Sequence, residues 1–132
     1  MTAPFPPGCP PEEAIEVDRS FYRLAEKRLA VGAATGPNSW LRPYETPGSP
    51  LLGRSDLPEA HGLSVIGDMA ELTRARDMSP WMAKKSVAEV RVTPQSGRVQ
   101  HTPSRAWRSH HDWWTDPHDL VPLALVVEAA RY

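Results

Sequence analysis

One stretch of the sequence is denser than the rest in groups that can bind metal, titrate or stack. Residues 105–119 contain three of the five tryptophans and three of the five histidines. His110 and Asp112 form a His-x-Asp pair, and His118 follows further along the same stretch. Two histidines and a carboxylate can hold iron, manganese or zinc and leave coordination positions open. One hypothesis is therefore a small metal-dependent enzyme that uses His110, Asp112 and His118.

The spacing of residues 105–119 also supports a purely structural role, in which the stretch binds no metal. Pro117 interrupts any helix that would join Asp112 to His118, so local geometry does not place the ligands on one face. The run Asp116-Pro117-His118-Asp119 is typical of a helix start, with Asp as the cap and Pro at the first position. On this interpretation the neighbouring tryptophans fix that helix to the rest of the core.

A second possible chemistry is the binding of an anionic partner. The formal net charge is only −1, but residues 74–111 contain eight basic and two acidic residues. Basic side chains in such a block can contact phosphates, and a tryptophan among them can stack on a base. The residues expected to do this are Lys84, Lys85, Arg91, Arg98, Arg105, Arg108 and Trp107. Alternatively, the basic block is the surface against which the acidic parts of the chain fold.

Most of the elements that would position these residues are predicted as helices. Apolar residues at spacings of three and four predict a first helix over about 11–31. A second helix is expected over 64–76, and Ser79 followed by Pro80 predicts a third from 80 to about 85. Trp81 and Met82 of this third helix are expected in the core. Residues 121–130 fit either a helix or a buried strand, and we favour the helix.

From Val87 the period changes to two, which predicts a β-hairpin over 87–102 with its turn at 94–97. The order helix, turn, helix, hairpin across 64–102 resembles that of a winged helix, a DNA-binding module with a helix-turn-helix. That resemblance implies residues 79–86 as the recognition helix and 86–102 as the wing. The pattern departs from this family at Asp77, where the tight turn usually has glycine.

Length and composition limit the remaining possibilities. A chain of 132 residues predicts one domain, here an α+β domain of about four helices and one β-hairpin. Residues 1–11 are expected to form a proline-rich arm, and residues 12–132 the globular domain with a long Pro/Gly-rich loop at 32–57. Cys9 is the only cysteine, which excludes an internal disulfide. With no secretory signal and no apolar run long enough for a membrane span, the expected compartment is the cytoplasm.

Three functions follow from these patterns. The first is a non-catalytic accessory protein that binds an anionic partner, above all nucleic acid, through residues 74–111. The alternative is a protein-interaction subunit of a larger complex that uses the proline-rich arm and the tryptophan-rich segment. The third is the metal-dependent enzyme, which would be the only one to need a cofactor. The sequence contains neither a Gly-x-Ser-x-Gly elbow nor a phosphate-cradling glycine-rich loop, so the patterns do not indicate a hydrolase.

Overall fold

The computed structural model describes residues 3–131, and its centre is an antiparallel β-sheet. The strands are β1 Arg19–Ala25, β2 Leu63–Ile66, β3 Ser86–Val92, β4 Gly97–His101, β5 His110–Thr115 and β6 Leu125–Glu128. They lie side by side in the order β4-β5-β2-β1-β3-β6. Two α-helices, α1 Met69–Met78 and α2 Pro80–Ala83, are accompanied by short 3-10 helices. The predicted winged-helix-like α+β domain of four helices is therefore wrong.

The largest correction concerns residues 11–31, the predicted first helix. Residues 19–25 form β1, which pairs with β3 along its whole length, from Arg19 opposite Val92 to Ala25 opposite Ser86. Both faces of β1 are covered, because Phe21 lies in the main core and Leu24 belongs to a second apolar cluster with Leu72 of α1. A strand covered on both faces shows no clear alternation of polar and apolar residues, so its apolar residues also fit a helical spacing.

The predicted hairpin over 87–102 contains two strands that do not pair with each other. β3 lies between β1 and β6, whereas β4 pairs with β5. The backbone of Val99 in β4 instead exchanges two hydrogen bonds with Ile15, of 2.8 and 2.9 Å. Because Arg19 pairs with Val92 and Ile15 pairs with Val99, the sheet curls so that the chain entering β1 contacts both strands.

The predicted turn at residues 94–97 is present and connects β3 to β4. Residues Pro94–Ser96 form a 3-10 helix, and Gly97 follows with a φ of 130°. A Cβ on Gly97 would lie 2.1 Å from the backbone oxygen of Trp114, so a larger residue would both clash and be strained there. The turn chemistry was thus predicted correctly, although the pairing that usually accompanies it was not.

The two α-helices occupy part of the region predicted as the second and third helices. Residues 64–66 belong to β2, and α1 begins after Asp68, whose side chain accepts a hydrogen bond from the Ala70 amide at 2.9 Å. The start of α2 is confirmed, since Ser79 Oγ accepts from the Met82 amide at 3.3 Å. The strand that follows lies between β1 and β6 in the sheet and forms no wing, so the predicted helix-turn-helix DNA-binding unit is wrong.

The C-terminal segment is a strand, and the helix favoured over 121–130 is wrong. Leu125–Glu128 forms β6, which pairs with β3 on one side and is hydrogen-bonded by residues 32–35 on the other. The predicted helix start at Asp116 is also wrong, because the Leu120 amide donates to the Pro117 oxygen in a turn. The capping roles given to Asp116 and Asp119 therefore do not apply.

The main core lies on the inner face of the curled sheet. Its members share an exposure of 4% or less and are Phe21, Ala25, Trp40, Leu63, Val65, Ala88, Val90, Val92, Val99, Trp113 and Ala124. Trp40 comes from the loop 32–57 and meets the ring of Trp113 edge to face, with centroids 6.0 Å apart. The loop therefore covers this face. No helix among residues 3–131 is long and apolar enough to cross a bilayer.

Both proline-rich segments are held against the body of the domain. The buried guanidinium of Arg42, in the loop 32–57, donates to Thr115 Oγ1 and to the backbone oxygens of His118 and Leu120 at 2.9, 2.8 and 3.1 Å. In the arm, the Ala3 amide donates to the Tyr44 hydroxyl at 2.8 Å. The arm is thus bound by the chain itself, which leaves less of it for a partner.

Candidate partner-binding surface

The tryptophan-histidine stretch forms β5, and two of its tryptophans are in the interior. Trp113 and Trp114 point to opposite faces of the sheet and are 1% and 2% exposed. Their indole nitrogens donate to the backbone oxygens of Ser96 and Pro58 at 3.1 and 3.0 Å. Burial and these hydrogen bonds explain both side chains as part of the folded core. The tryptophans thus anchor a strand, not the predicted helix.

The three residues of the metal hypothesis are not brought together as a ligand set. His110 and Asp112 share the outer face of β5, while His118 lies near the ring of Phe5, with centroids 5.8 Å apart. His110 Nδ1 is within hydrogen-bonding distance of Thr102, 2.8 Å from its hydroxyl oxygen. Over the described part of the chain, no group of three or more His, Cys, Asp or Glu side chains could hold a metal ion.

The six predicted basic contacts divide into two groups. Arg91 forms an ion pair with Asp18 at 2.8 Å, and Arg98 lies 3.8 Å from Glu16. These two arginines face acidic residues of the segment that enters β1, as the alternative interpretation of the basic block expects. The side chains of Lys84, Lys85, Arg105 and Arg108 take part in none of the salt bridges found between residues 3 and 131, and neither does Arg74.

The loop 102–109 carries Arg105, Trp107 and Arg108. The carboxylate of Glu71 attaches this loop to α1. Glu71 accepts hydrogen bonds from the amides of Arg108 and Ser109 at 3.0 and 2.9 Å, and from the Ser109 hydroxyl. Burial alone would raise the pKa of Glu71, but the hydrogen bonds from Ser109 and Arg108 lower it below its ordinary value of 4.5. The charge of Arg74 lowers the pKa of Glu71 further, so this carboxylate interacts with the loop and with one arginine of α1.

A cleft of about 520 Å³ opens where β1 and β2 separate. These two strands share a single paired position, Tyr22 opposite Ile66. Arg23 bridges the gap, donating to the backbone oxygens of Ser39 and Ser64 at 2.7 Å each. Burial and the nearby charge of Arg42 lower the pKa of Arg23 to about 10. The rest of the lining includes Leu24, Ile66, Leu72, Trp81, Lys85, Trp107 and His110.

A second depression, of about 500 Å³, lies on the other side of Trp107. Its apolar lining comes from Ala75, Met78, Met82 and Ala106, and its charged lining from Glu71, Arg74, Arg105 and Arg108. Met78 is 86% exposed and Trp81 is 61% exposed, so the corner between α1 and α2 leaves two large apolar side chains in solvent. We call the following set the Trp107 surface: Arg74, Met78, Trp81, Met82, Lys85, Arg105, Trp107 and Arg108.

Sequence patterns identified only part of the Trp107 surface. Lys85, Arg105, Trp107 and Arg108 were predicted, whereas Trp81 was expected in the core and is exposed. The helix α2 has only four residues, Pro80–Ala83, so it buries Ala83 and turns Trp81 outward. The sequence carries a signal for this, because the period of two that begins at Val87 leaves room for fewer than two helical turns after Ser79.

No family model, curated protein or solved structure matches this chain. The chemistry of the Trp107 surface is therefore what bears on its function. That surface combines clustered cations, exposed apolar side chains and two depressions that meet at one half-buried tryptophan.

Proposed function

We propose that this chain is a non-catalytic accessory protein that binds an anionic partner on the Trp107 surface. The observation that carries the proposal is the placement of four basic side chains around exposed apolar groups, none of them in a salt bridge with another residue of the range 3–131. Large exposed apolar side chains with a polar rim mark interaction sites. Tryptophan and arginine are also the residues that most often dominate binding energies at interfaces.

The charges of this surface favour an anionic partner in particular. Arg74, Arg105 and Arg108 line one depression together, and the carboxylate they share it with, Glu71, is already engaged by the loop 102–109. Clustered like charges repel each other, and a bound anion relieves this repulsion. The positive potential of the cluster also increases the rate at which an anionic partner associates. The proposed surface is smaller than the whole basic segment 74–111, because Arg91 and Arg98 face Asp18 and Glu16.

The proposal is tested with two fluorescent polyanions, a random copolymer of glutamate and leucine and an oligothymidylate. The full chain is expected to bind at least one of them at low salt and to release it as salt is raised. The double variant Arg105→Gln/Arg108→Gln is expected to bind at least about tenfold more weakly, which corresponds to about 1.4 kcal/mol. Both residues are exposed, so folding should be unaffected, as circular dichroism would verify.

A matched control removes the same number of positive charges elsewhere. Arg91→Gln/Arg98→Gln lies outside the Trp107 surface and is expected to bind like the unmodified chain. If neither polyanion binds at low salt, or if both double variants weaken binding equally, the Trp107 surface is not the binding surface.

A further inference from the structure

We infer that the anionic partner is a segment of another protein in which acidic residues flank large apolar side chains. This inference rests on the proposed function and adds the chemical class of the partner. It follows from how the apolar groups of the Trp107 surface are exposed. A nucleic acid would use open aromatic faces for its bases, whereas a protein segment would use apolar pockets for its side chains.

The tryptophans are poorly arranged for stacking on bases. A single strand held by stacking uses several open aromatic faces, one for each successive base. The ammonium of Lys85 lies 5.3 Å from the centre of the Trp81 ring and so occupies one of its faces. Trp107 is half-buried and packs against the cluster of Ile66, Leu72 and Val87 on the outer face of the sheet. Each ring therefore offers an edge or a single face, which suits an aliphatic or aromatic side chain of a protein.

The other apolar groups also favour protein side chains. Met78 and Met82 line one depression with Ala75 and Ala106, and the side chains of these four residues are all apolar. Methionine is flexible and polarisable, and it is common at surfaces that accept apolar side chains of varied shape. Phosphates gain nothing from this lining, whereas leucine, isoleucine or phenylalanine of a partner would be removed from water there.

The arrangement of charge then places anionic groups of the partner, which in a protein are carboxylates, next to those apolar side chains. Arg105 and Arg108 lie on one loop beside the methionine-lined depression, and Arg74 faces it from α1. Guanidinium groups bind carboxylates, as they bind phosphates, through two parallel hydrogen bonds. The apolar lining beside them is what favours a protein carboxylate over a phosphate. Lys85 supplies a further positive charge where the cleft on the opposite side of Trp107 opens. A segment that crosses Trp107 could thus seat apolar side chains on both sides and place carboxylates between them.

Two parallel selections on the immobilised full chain test the inference. One uses a display library of random peptides, and the other a pool of random single-stranded DNA. We expect enrichment of peptides in which Asp or Glu flanks Leu, Ile, Phe or Trp, and no enrichment of DNA. A selected peptide should bind at least about tenfold more weakly to Arg105→Gln/Arg108→Gln and to Met78→Ser/Trp81→Ala. Both double variants change exposed side chains, so their folding is expected to be preserved.

The possible results separate this inference from the proposed function. Enrichment of DNA without peptides would overturn the inference and leave anionic binding in place. If neither library is enriched, both the inference and the proposed function fail. Peptides without an acidic bias, or peptides that bind Met78→Ser/Trp81→Ala as well as the unmodified chain, would show that the partner has a different chemistry. Arg91→Gln/Arg98→Gln serves again as the control and should change affinity by less than about twofold.

Discussion

Nη1 of Arg76 in α1 donates to Oε1 of Glu128 in β6 at 2.6 Å. The side chain of Arg76 is 1% exposed, whereas that of Glu128 is 37% exposed. A second donor of the same guanidinium, Nη2, bonds the backbone oxygen of Ala129 at 2.7 Å. Burial lowers the pKa of Arg76, and the charge of Glu128 works against that shift. The arginine thus joins α1 to the last strand of the sheet and depends on its partner to remain buried.

Replacing Glu128 with alanine should lower the free energy of unfolding by about 2 kcal/mol, because the buried guanidinium of Arg76 loses its counter-charge. The partial exposure of Glu128 keeps the loss below the range for fully buried pairs. Urea denaturation measures it. Glu16→Ala removes the exposed partner of Arg98 and should cost less than about 0.5 kcal/mol. Equal losses in the two variants would contradict the role given to Arg76.

Two tryptophans should respond very differently to the same substitution. Trp113→Ala is expected to lower the free energy of unfolding by about 3–5 kcal/mol, since it leaves a cavity in the main core. Trp81→Ala should change it by less than about 0.5 kcal/mol, because the side chain is mostly in solvent. Chemical denaturation of both variants compares them directly. A large loss for Trp81→Ala would mean that this residue is part of the core, as its sequence position suggested.

His111 should make the stability of the protein depend on pH near neutrality. Its ring lies 4.9 Å from that of Phe21, and burial, followed by the charges of His101, Arg19 and His110, lowers its pKa below 6.5. The folded state therefore favours neutral His111, whose contribution is fully present above pH 6.5 and is lost as the pH falls through the lowered pKa. Denaturation curves over this range should show less pH dependence for His111→Phe. An NMR titration that places the pKa of His111 above 6.5 would contradict the prediction.

Glu71 should control how firmly the loop 102–109 is held. Glu71→Ala is expected to increase hydrogen exchange at the amides of Arg108 and Ser109, which lose their acceptor. Since the pKa of Glu71 is lowered, the same loosening should occur in the unmodified chain as the pH falls below 4.5. Glu59→Ala, a substitution of an exposed carboxylate elsewhere, should leave both amides unchanged. Protection that survives in Glu71→Ala would show that other contacts hold the loop.

The parts of the fold that depend on local chemistry were predictable from the sequence. Ser79 caps α2 and Gly97 ends the turn after β3, both as their residue types indicate. What could not be predicted is which strands are neighbours. The turn at 94–97 is typical of a hairpin, and nothing close to it in the sequence indicates that Ile15 pairs with Val99.

The candidate surface was predictable to a similar degree. A run of basic residues shows that positive charge is present, but neighbours in a strand point to opposite faces, and partners come from distant segments. Asp18 and Glu16 could be assigned to Arg91 and Arg98 only after the chain entering β1 was known to lie beside β3 and β4. The exposed position of Trp81 likewise follows from where α2 ends.

The pairing of Ile15 with Val99 also has a consequence for the order of folding. A hairpin closes a short loop, whereas this contact joins residues from opposite parts of the chain and is correspondingly slow to form. Until it forms, the backbone of β4 on that side has no partner and can pair with another molecule. The segment before β1 thus covers this edge of β4 late in folding. Before it pairs there, newly made chains are most prone to aggregation.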